Sequence, residues 1–145
     1  MTSLPNEVLR LVNDPRASKT IATRSPEGRM HTIYMGSLMA TSPDEMIFAH
    51  ILMKRTQKNL EDMKFKGELV SVSVTLESAS YEIMAAVGDY LTSGAKVDLM
   101  ADVLRKAGVM ERVEHLGMKL LGVWVLLPRE VWDQRPGPQA GTRIA

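Results

Sequence analysis

The sequence predicts an antiparallel β-barrel of the α+β class, with six strands and two to three peripheral helices. Three observations support this prediction. Short apolar segments follow one another across tight-turn sequences, which leave no room for the crossover helices of a parallel sheet. Residues 70–75 alternate apolar and polar side chains, as a strand with one buried face does. The long apolar segment "YEIMAAVGDYLTSG" contains Gly88. A glycine inside a strand often marks a bulge or the sharp bend that a barrel needs.

The first half of the chain gives a helix and then strands. "LPNEVLRLVND" places its apolar residues on one side of a short helix, with Pro5 early, where its missing N–H does no harm. "SKTIATRSPEGRMHTIYMGSLMAT" is typical of two strands around the turn "SPEG", in which Pro26 and Gly28 supply the fixed and the permissive backbone angles. The turn "SPDEM" then leads into the short strand "MIFAH". The three strands are therefore expected to pair antiparallel.

The second half adds strands and one more helix. "ELVSVSVTL" and "YEIMAAVGDYLTSG" are predicted strands, "AKVDLMADVLRKAG" is a predicted helix that ends at Gly108, and "KLLGVWVLLPREVWDQ" is a buried strand. The last segment, "RPGPQAGTRIA", is rich in Pro and Gly. We therefore expect a single domain over residues 1–133 and a flexible C-terminal tail over residues 134–145.

Composition excludes several classes of function. The 145 residues include 18 Lys and Arg against 17 Asp and Glu, a net charge of +1, so no overall field draws the protein to nucleic acid or an anionic membrane. There is no cysteine for disulfides, thiolate catalysis or iron–sulfur clusters. The N-terminus lacks the features of a secretory signal, and the apolar runs are too short to span a membrane. We expect a cytoplasmic protein.

The usual catalytic motifs are missing from the sequence. His31, His50 and His115 are far apart, and no His-x-x-His or His-Glu pair has metal-ligand spacing, so no metal site is predicted. No serine lies in a G-x-S-x-G elbow, and neither G-x-G-x-x-G nor a P-loop is present. A hydrolase or a nucleotide triphosphatase is therefore disfavoured.

One local pattern does suggest a binding site. In "HILMKRTQKNLEDMK" an apolar run stops at Lys54 and Arg55, and a helix is expected to start near Thr56. Two cations at the positive end of a helix dipole are unfavourable unless an anion is bound there. Helix-start amides, a hydroxyl and the two cations together would suit a phosphate group, and Arg55 could engage two of its oxygens at once. The alternative is that Thr56 caps the helix while both cations are solvated, and Lys58 and Lys64 are assigned to a solvated helix face.

The order of these motifs, from "ATRSPEGRMHTIYMG" through "MIFAH" and "KRTQKNLED" to "VSVSV", resembles the FMN-binding split-barrel proteins of the pyridoxamine 5′-phosphate oxidase-like superfamily. The resemblance covers the chain from about Pro5 to Trp132. It implies a split barrel with FMN as cofactor, whose phosphate lies at the basic segment and whose ring lies along the second hairpin strand and the end of the following strand. The implied cofactor-binding residues are Ile33, Tyr34, Met35, Gly36, Ser37, Ala49, His50, Lys54, Arg55, Thr56 and Asn59.

The resemblance also implies a homodimer with a cofactor at each interface, to which Trp124 and Trp132 would contribute unless they are buried anchors of the last strand. It implies an oxidoreductase that transfers hydride or electrons through FMN to a small molecule, with no catalytic side chain assigned. An F420-dependent reductase, a non-enzymatic FMN-binding electron carrier or sensor, and a cofactor-free interaction module are the alternatives. The chain ends "GTRIA" and lacks the family's basic R-L-x-P segment, so pyridoxamine phosphate oxidation itself is not expected.

Overall fold

The structure is a computed structural model, and it describes residues 2–145. Its helices are α1 (Asn6–Val12), α2 (Lys54–Lys66), α3 (Ala95–Lys106) and α4 (Val109–His115). Its strands are β1 (Ser18–Arg24), β2 (Met30–Tyr34), β3 (Met39–Ser42), β4 (Glu45–His50), β5 (Leu69–Leu76), β6 (Ala79–Leu91), β7 (Gly122–Asp133) and β8 (Thr142–Arg143).

All strands belong to one antiparallel sheet, in the order β2-β1-β5-β6-β7-β4-β3, and β8 pairs with β7. The predicted antiparallel α+β fold is therefore confirmed, with eight strands instead of six and four helices instead of two to three. The additional strand β3 arises because the second half of the predicted hairpin turns after Tyr34 and resumes at Met39. The additional helix α4 follows directly on Gly108, whose φ of 74° separates it from α3.

The sheet has a separate apolar core on each face. The main core contains the inward side chains of β1 and β5, such as Ile21, Val70 and Val72, together with Phe48 and Trp124. A second core lies between the outer face of β4 and β7 and the pair α3–α4; its members include Ile47, Ala49, Met100, Leu104, Val123 and Val125. Successive residues of β4 thus point to opposite sides, as the strand period of two requires.

The bend predicted at Gly88 is present as a bulge in β6. The register with β7 shifts between Val87 and Tyr90. A Cβ on Gly88 would lie 3.0 Å from the backbone oxygen of Val125, closer than side chains normally approach. Glycine therefore allows β6 to pass close to β7 here, and the bulge changes the direction in which the following residues point.

One predicted boundary needs correction. Helix α2 begins at Lys54, not near Thr56, after Met53 in a left-handed conformation (φ 104°) and without a side-chain cap. Thr56 is therefore inside the first turn and does not cap the helix. The flexibility of 134–145 stays a prediction, but β8 is hydrogen-bonded to β7, and the Val131 N–H donates to the Ala145 carbonyl at 3.0 Å. Among residues 2–145, no helix has the length and apolar character needed to cross a membrane.

Candidate cofactor site

The β1–β2 turn and the start of α2 enclose a cavity of about 250 Å³, here called the basic cavity. The turn is closed by backbone hydrogen bonds: the Ser25 N–H donates to the Arg29 carbonyl at 2.8 Å, and the Gly28 N–H donates to the Ser25 carbonyl at 2.9 Å. The turn residues therefore face α2 in a fixed arrangement. The cavity is lined by Ser25, Pro26, Glu27, Arg29, Arg55, Lys58 and Asn59.

The charges around the basic cavity favour an anion. Arg29, Arg55 and Lys58 carry three positive charges, and Glu27 is the one acidic residue that lines it. Arginine can offer two parallel N–H donors to a phosphate, and lysine adds a mobile point charge. The site is therefore suited to a phosphate group, with positive charge in excess.

Only some of the residues predicted to bind phosphate line the basic cavity. Arg55 and Asn59 line the basic cavity, whereas Lys54 is exposed and does not. Lys58, which the sequence interpretation placed on a solvated face, lines the cavity, as does Arg29 from the turn. The spacing of 55, 58 and 59 puts these residues on one helix face, and this signal was available in the sequence.

Two polar residues in the first two turns of α2 are buried. Asn59 is 4% exposed and donates through Nδ2 to the Thr23 hydroxyl at 3.0 Å. This bond fixes α2 against β1. Thr56 is fully buried, and its Oγ1 is the one buried side-chain polar atom in residues 2–145 that has no hydrogen-bond partner. A hydroxyl without a partner is costly inside a protein, so the first turn of α2 is not fully satisfied by the chain alone.

A second cavity, here called the apolar cavity, has a volume of about 280 Å³ and lies at the other end of β2. It is lined by parts of the two segments that were predicted to flank a ring, Ile33–Met35 and Ala49, but not by Gly36, Ser37 or His50. The Ala49 N–H donates to the Ser37 hydroxyl at 2.9 Å, which ties the loop after β2 to the end of β4. Its lining residues are Ile33, Tyr34, Met35, Ala49, Ile51, Leu52 and Met53.

The rim of the apolar cavity is exposed while its floor is not. Tyr34 is 68% exposed and Leu52 is 57% exposed, whereas Met35 is 4% exposed. Gly36 lies against the ring of Tyr34, since a Cβ there would be 3.0 Å from the Tyr34 Cε1 atom. The site thus combines a packed apolar floor with large side chains that a flat ligand or another protein surface would cover.

His50 is held by neighbours on adjacent strands. Its Nδ1 lies 2.6 Å from the Tyr90 hydroxyl, and the Tyr90 and Trp124 rings are 4.9 Å apart between centroids. Trp124 is 2% exposed and donates through Nε1 to Gln57 at 2.6 Å. Burial lowers the pKa of His50 and raises that of Tyr90, so both are neutral near pH 7.

The two candidate tryptophans differ in the structure. Trp124 is buried in the main core, so the alternative of a buried strand anchor is correct for it. Trp132 is partly exposed near the C-terminus and donates through Nε1 to Glu130 at 2.9 Å. Trp124 is therefore unavailable to a partner subunit.

Both cavities lie along the seam between β2 and the start of α2. Arg29 precedes β2 at the basic cavity, and Ile33 to Met35 end it at the apolar cavity. At about 3.3 Å of rise per residue, the four to six intervening steps span about 13–20 Å. This arrangement would fit a ligand that has an anionic group at one end, a linker along the seam and a flat apolar ring at the other end.

Comparisons with known proteins bear on the fold. No protein-family model matches the sequence, and no curated protein matches it. Among solved structures, an FMN-binding protein from Syntrophomonas wolfei subsp. wolfei superposes with a TM-score of 0.71 at 16% identity, over 86% of this chain and 84% of that chain.

Two further solved structures share the fold, and their names mention other cofactors. An F420 reductase superposes with a TM-score of 0.61 at 16% identity, over 88% of this chain and 98% of that chain. HutZ, the heme storage protein from Vibrio cholerae, superposes with a TM-score of 0.57 at 15% identity, over 90% and 94%. At these identities the likeness establishes the fold alone. The chain therefore has the split-barrel fold that its sequence motifs predicted.

Proposed function

We propose that this protein binds FMN along the β2–α2 seam and acts as an oxidoreductase that passes hydride or electrons through FMN to a small molecule. The observation that carries the proposal is the alignment of the basic cavity and the apolar cavity on that one seam. In FMN, a phosphate and a flat ring stand at opposite ends of a flexible chain, so the cofactor matches the order of the two cavities. The likeness to an FMN-binding protein supports this choice.

The chain's residues take separate roles in this proposal. Arg55, Lys58 and Arg29 bind the phosphate and balance its charge, while Asn59 holds α2 in place through Thr23. The segments Ile33–Ser37 and Ala49–His50 flank the ring and exclude water from one face. When bound, the flavin ring supplies the redox chemistry, and the protein supplies binding and orientation. This division of labour accounts for the absence of a recognisable catalytic motif in the sequence.

We further propose that the active form is a homodimer. Tyr34 and Leu52, at the rim of the apolar cavity, are more than half exposed, and a second copy of the chain would cover them. The monomer would then leave the ring site incomplete. Sedimentation equilibrium should give about twice the mass of 16.1 kDa. A monomer at micromolar concentration would contradict this part of the proposal.

The cytoplasmic location stays a prediction.

F420 is the second candidate cofactor. The basic cavity has three cations, and an F420 reductase shares the fold. A longer and more acidic cofactor would use the same cations. Competition between FMN and F420 for the purified protein distinguishes the two, and the tighter ligand identifies the cofactor.

The central experiment is a flavin titration of the purified protein with matched variants. Flavin fluorescence should be quenched on binding, and denaturation should release FMN. Replacing Arg55 with glutamine removes a charged hydrogen bond worth about 1.5–3 kcal/mol, which corresponds to an increase in Kd of about 10- to 150-fold. Lys66→Ala is the control, because Lys66 is a cation at the far end of the same helix, where it pairs with Asp62.

Each outcome has a distinct meaning. If Arg55→Gln binds FMN as tightly as the native chain, the phosphate is placed wrongly. If neither FMN nor F420 binds, the flavoprotein proposal is refuted and the cofactor-free interaction module replaces it. If FMN binds but reduced nicotinamides and other donors do not reduce it at a useful rate, the electron carrier or sensor replaces the oxidoreductase.

A further inference from the structure

The contact between His50 and Tyr90 connects three neighbouring strands at one end of the sheet. His50 is the last residue of β4, Gly122 is its partner at the start of β7, and Tyr90 comes from β6 on the far side of β7. The phenol ring of Tyr90 therefore crosses over β7 to reach the imidazole, and the two groups meet at 2.6 Å. The two residues are 40 positions apart in the sequence, so the contact is made by the fold.

Gly122 makes the crossing feasible. A Cβ at this position would lie 2.5 Å from both the Cζ atom and the hydroxyl oxygen of Tyr90, and 2.9 Å from the Leu91 carbonyl oxygen. Such distances are far shorter than ordinary van der Waals contact. Any side chain at 122 would displace the phenol ring from its position over β7.

Two other features hold Tyr90 in place. The bulge at Gly88 shifts the register just before Tyr90, which sets the direction in which the phenol points. The ring then packs against Trp124, whose own orientation is fixed by the hydrogen bond to Gln57 of α2. Four separate features thus support one hydrogen bond: a bulge, a glycine, an aromatic contact and the partly buried hydrogen bond from Trp124 to Gln57.

The surroundings of the Tyr90 hydroxyl favour it as the donor. Within residues 2–145, the Tyr90 hydroxyl has one hydrogen-bond partner, the Nδ1 atom of His50. A phenol that retains its proton needs an acceptor, and a neutral imidazole offers one unprotonated nitrogen. If Tyr90 donates to Nδ1, the imidazole carries its proton on Nε2. Nε2 makes no hydrogen bond to the described residues and is not among their buried unpaired atoms, so it reaches solvent.

We propose that Tyr90 is a positioning residue that holds His50 in the Nε2–H tautomer, so that His50 presents a neutral N–H donor at the end of β4. His50 does not itself line the apolar cavity, but its chain neighbours Ala49 and Ile51 do. The donor would serve a hydrogen-bond acceptor on the edge of the bound cofactor ring. This last step rests on the proposed function, whereas the tautomer does not.

The surroundings of the pair are consistent with a neutral donor. Burial lowers the pKa of His50 below its ordinary value of 6.5, which keeps the ring uncharged near pH 7. Glu61 of α2 is the charged group whose field acts on both rings: it opposes the lowering at His50 and adds to the raising at Tyr90. Gln57, which lies between Trp124 and Glu61, is neutral.

The tautomer is tested by nitrogen NMR of the protein without added cofactor. In the native chain at about pH 7.5, the ¹⁵N shifts of His50 should show a protonated Nε2 and an unprotonated Nδ1. Tyr90→Phe removes the donor, and its His50 should move toward the mixed tautomers of free imidazole. Tyr34→Phe is the matched control, because Tyr34 is the exposed tyrosine at the rim, and it should leave His50 unchanged.

A protonated Nδ1 in the native chain, or a Tyr90→Phe spectrum with the native His50 tautomer, would overturn the positioning role. The native measurement needs no variant to fold, and His31 and His115 serve as internal references.

The second part of the experiment adds FMN and follows the same signals. We expect the Nε2–H resonance of His50 to shift on saturation while those of His115 do not. If FMN binds and His50 does not respond, the donor role is overturned but the flavoprotein proposal stands. If FMN does not bind at all, the flavoprotein proposal fails and the donor role toward a flavin fails with it, while the tautomer result remains valid on its own.

Discussion

Replacing Gly122 with alanine is the sharpest stability test that the structure offers. The added methyl group would lie 2.5 Å from two atoms of the Tyr90 phenol, about 1 Å closer than carbon atoms normally approach. The phenol must therefore move by about 1 Å. A movement of that size along the 2.6 Å bond to His50 would take the donor and acceptor beyond hydrogen-bond range.

The expected cost has two parts. Forcing an extra methyl group into a packed site costs about 1–3 kcal/mol, and a lost hydrogen bond costs about 0.5–1.5 kcal/mol. We therefore expect Gly122→Ala to lower the free energy of unfolding by about 1.5–4.5 kcal/mol. Urea denaturation followed by tryptophan fluorescence measures this, because Trp124 packs directly against Tyr90.

Gly36→Ala is the matched control, since its Cβ would also approach a tyrosine. The nearest atom there is Cε1 of Tyr34 at 3.0 Å, and that ring is exposed and free to turn away, so the cost should stay below about 1 kcal/mol. Introducing Gly122→Ala together with Tyr90→Leu should recover most of the loss. A Gly122→Ala protein as stable as the native chain would refute the account of how the Tyr90 ring is accommodated.

Two further predictions concern buried polar groups. Asn59→Ala should lower the free energy of unfolding by about 1–3 kcal/mol, measured by urea denaturation, because it leaves the Thr23 hydroxyl unpaired in a buried site. Asp133→Asn should make the loss of stability in acid less steep. The hydrogen bonds from Arg135 hold the pKa of Asp133 below its ordinary value of 3.8. The carboxylate therefore contributes stability above pH 3.8, and this contribution is lost as pH falls through the folded-state pKa. Urea titrations between about pH 2 and pH 7 check this, and identical slopes in the two proteins would contradict it.

Local patterns predicted much of the fold. The alternation at Val70, Val72 and Val74 predicted a strand, and all three side chains are fully buried in β5. The turn around Pro26 and Gly28 and the bulge at Gly88 are present as expected. These features were predictable because each depends on a short stretch of chain, in which side-chain period and backbone freedom decide the structure.

The errors occurred where tertiary packing decides. The left-handed Met53 and the burial of Thr56 moved the start of α2 to Lys54, and nothing in the local sequence marks Met53 for that conformation. Lys58 is exposed, as predicted, but it also lines the basic cavity, whose other side is supplied by the β1–β2 turn, which is distant in sequence. The His50–Tyr90 contact depends on the register of three strands, which a pattern of apolar residues does not fix.

The start of α2 finally provides a test that separates a binding role from a structural one. Arg55 is in the first turn, which contains no acidic residue, so the helix dipole acts against it by about 0.3–1 kcal/mol. Arg55→Gln removes this penalty with little change in helix propensity, so the protein without ligand should become more stable by about that amount.

The same substitution should weaken FMN binding. Arg55→Gln is therefore expected to raise the stability of the protein without ligand and to lower its affinity for FMN. A residue kept for folding would show a loss of stability on replacement. Urea denaturation without ligand and FMN titration, carried out on the same preparation, measure both effects. If Arg55→Gln destabilises the protein without ligand, Arg55 is structural, and the cations at the start of α2 are no longer evidence for an anion site.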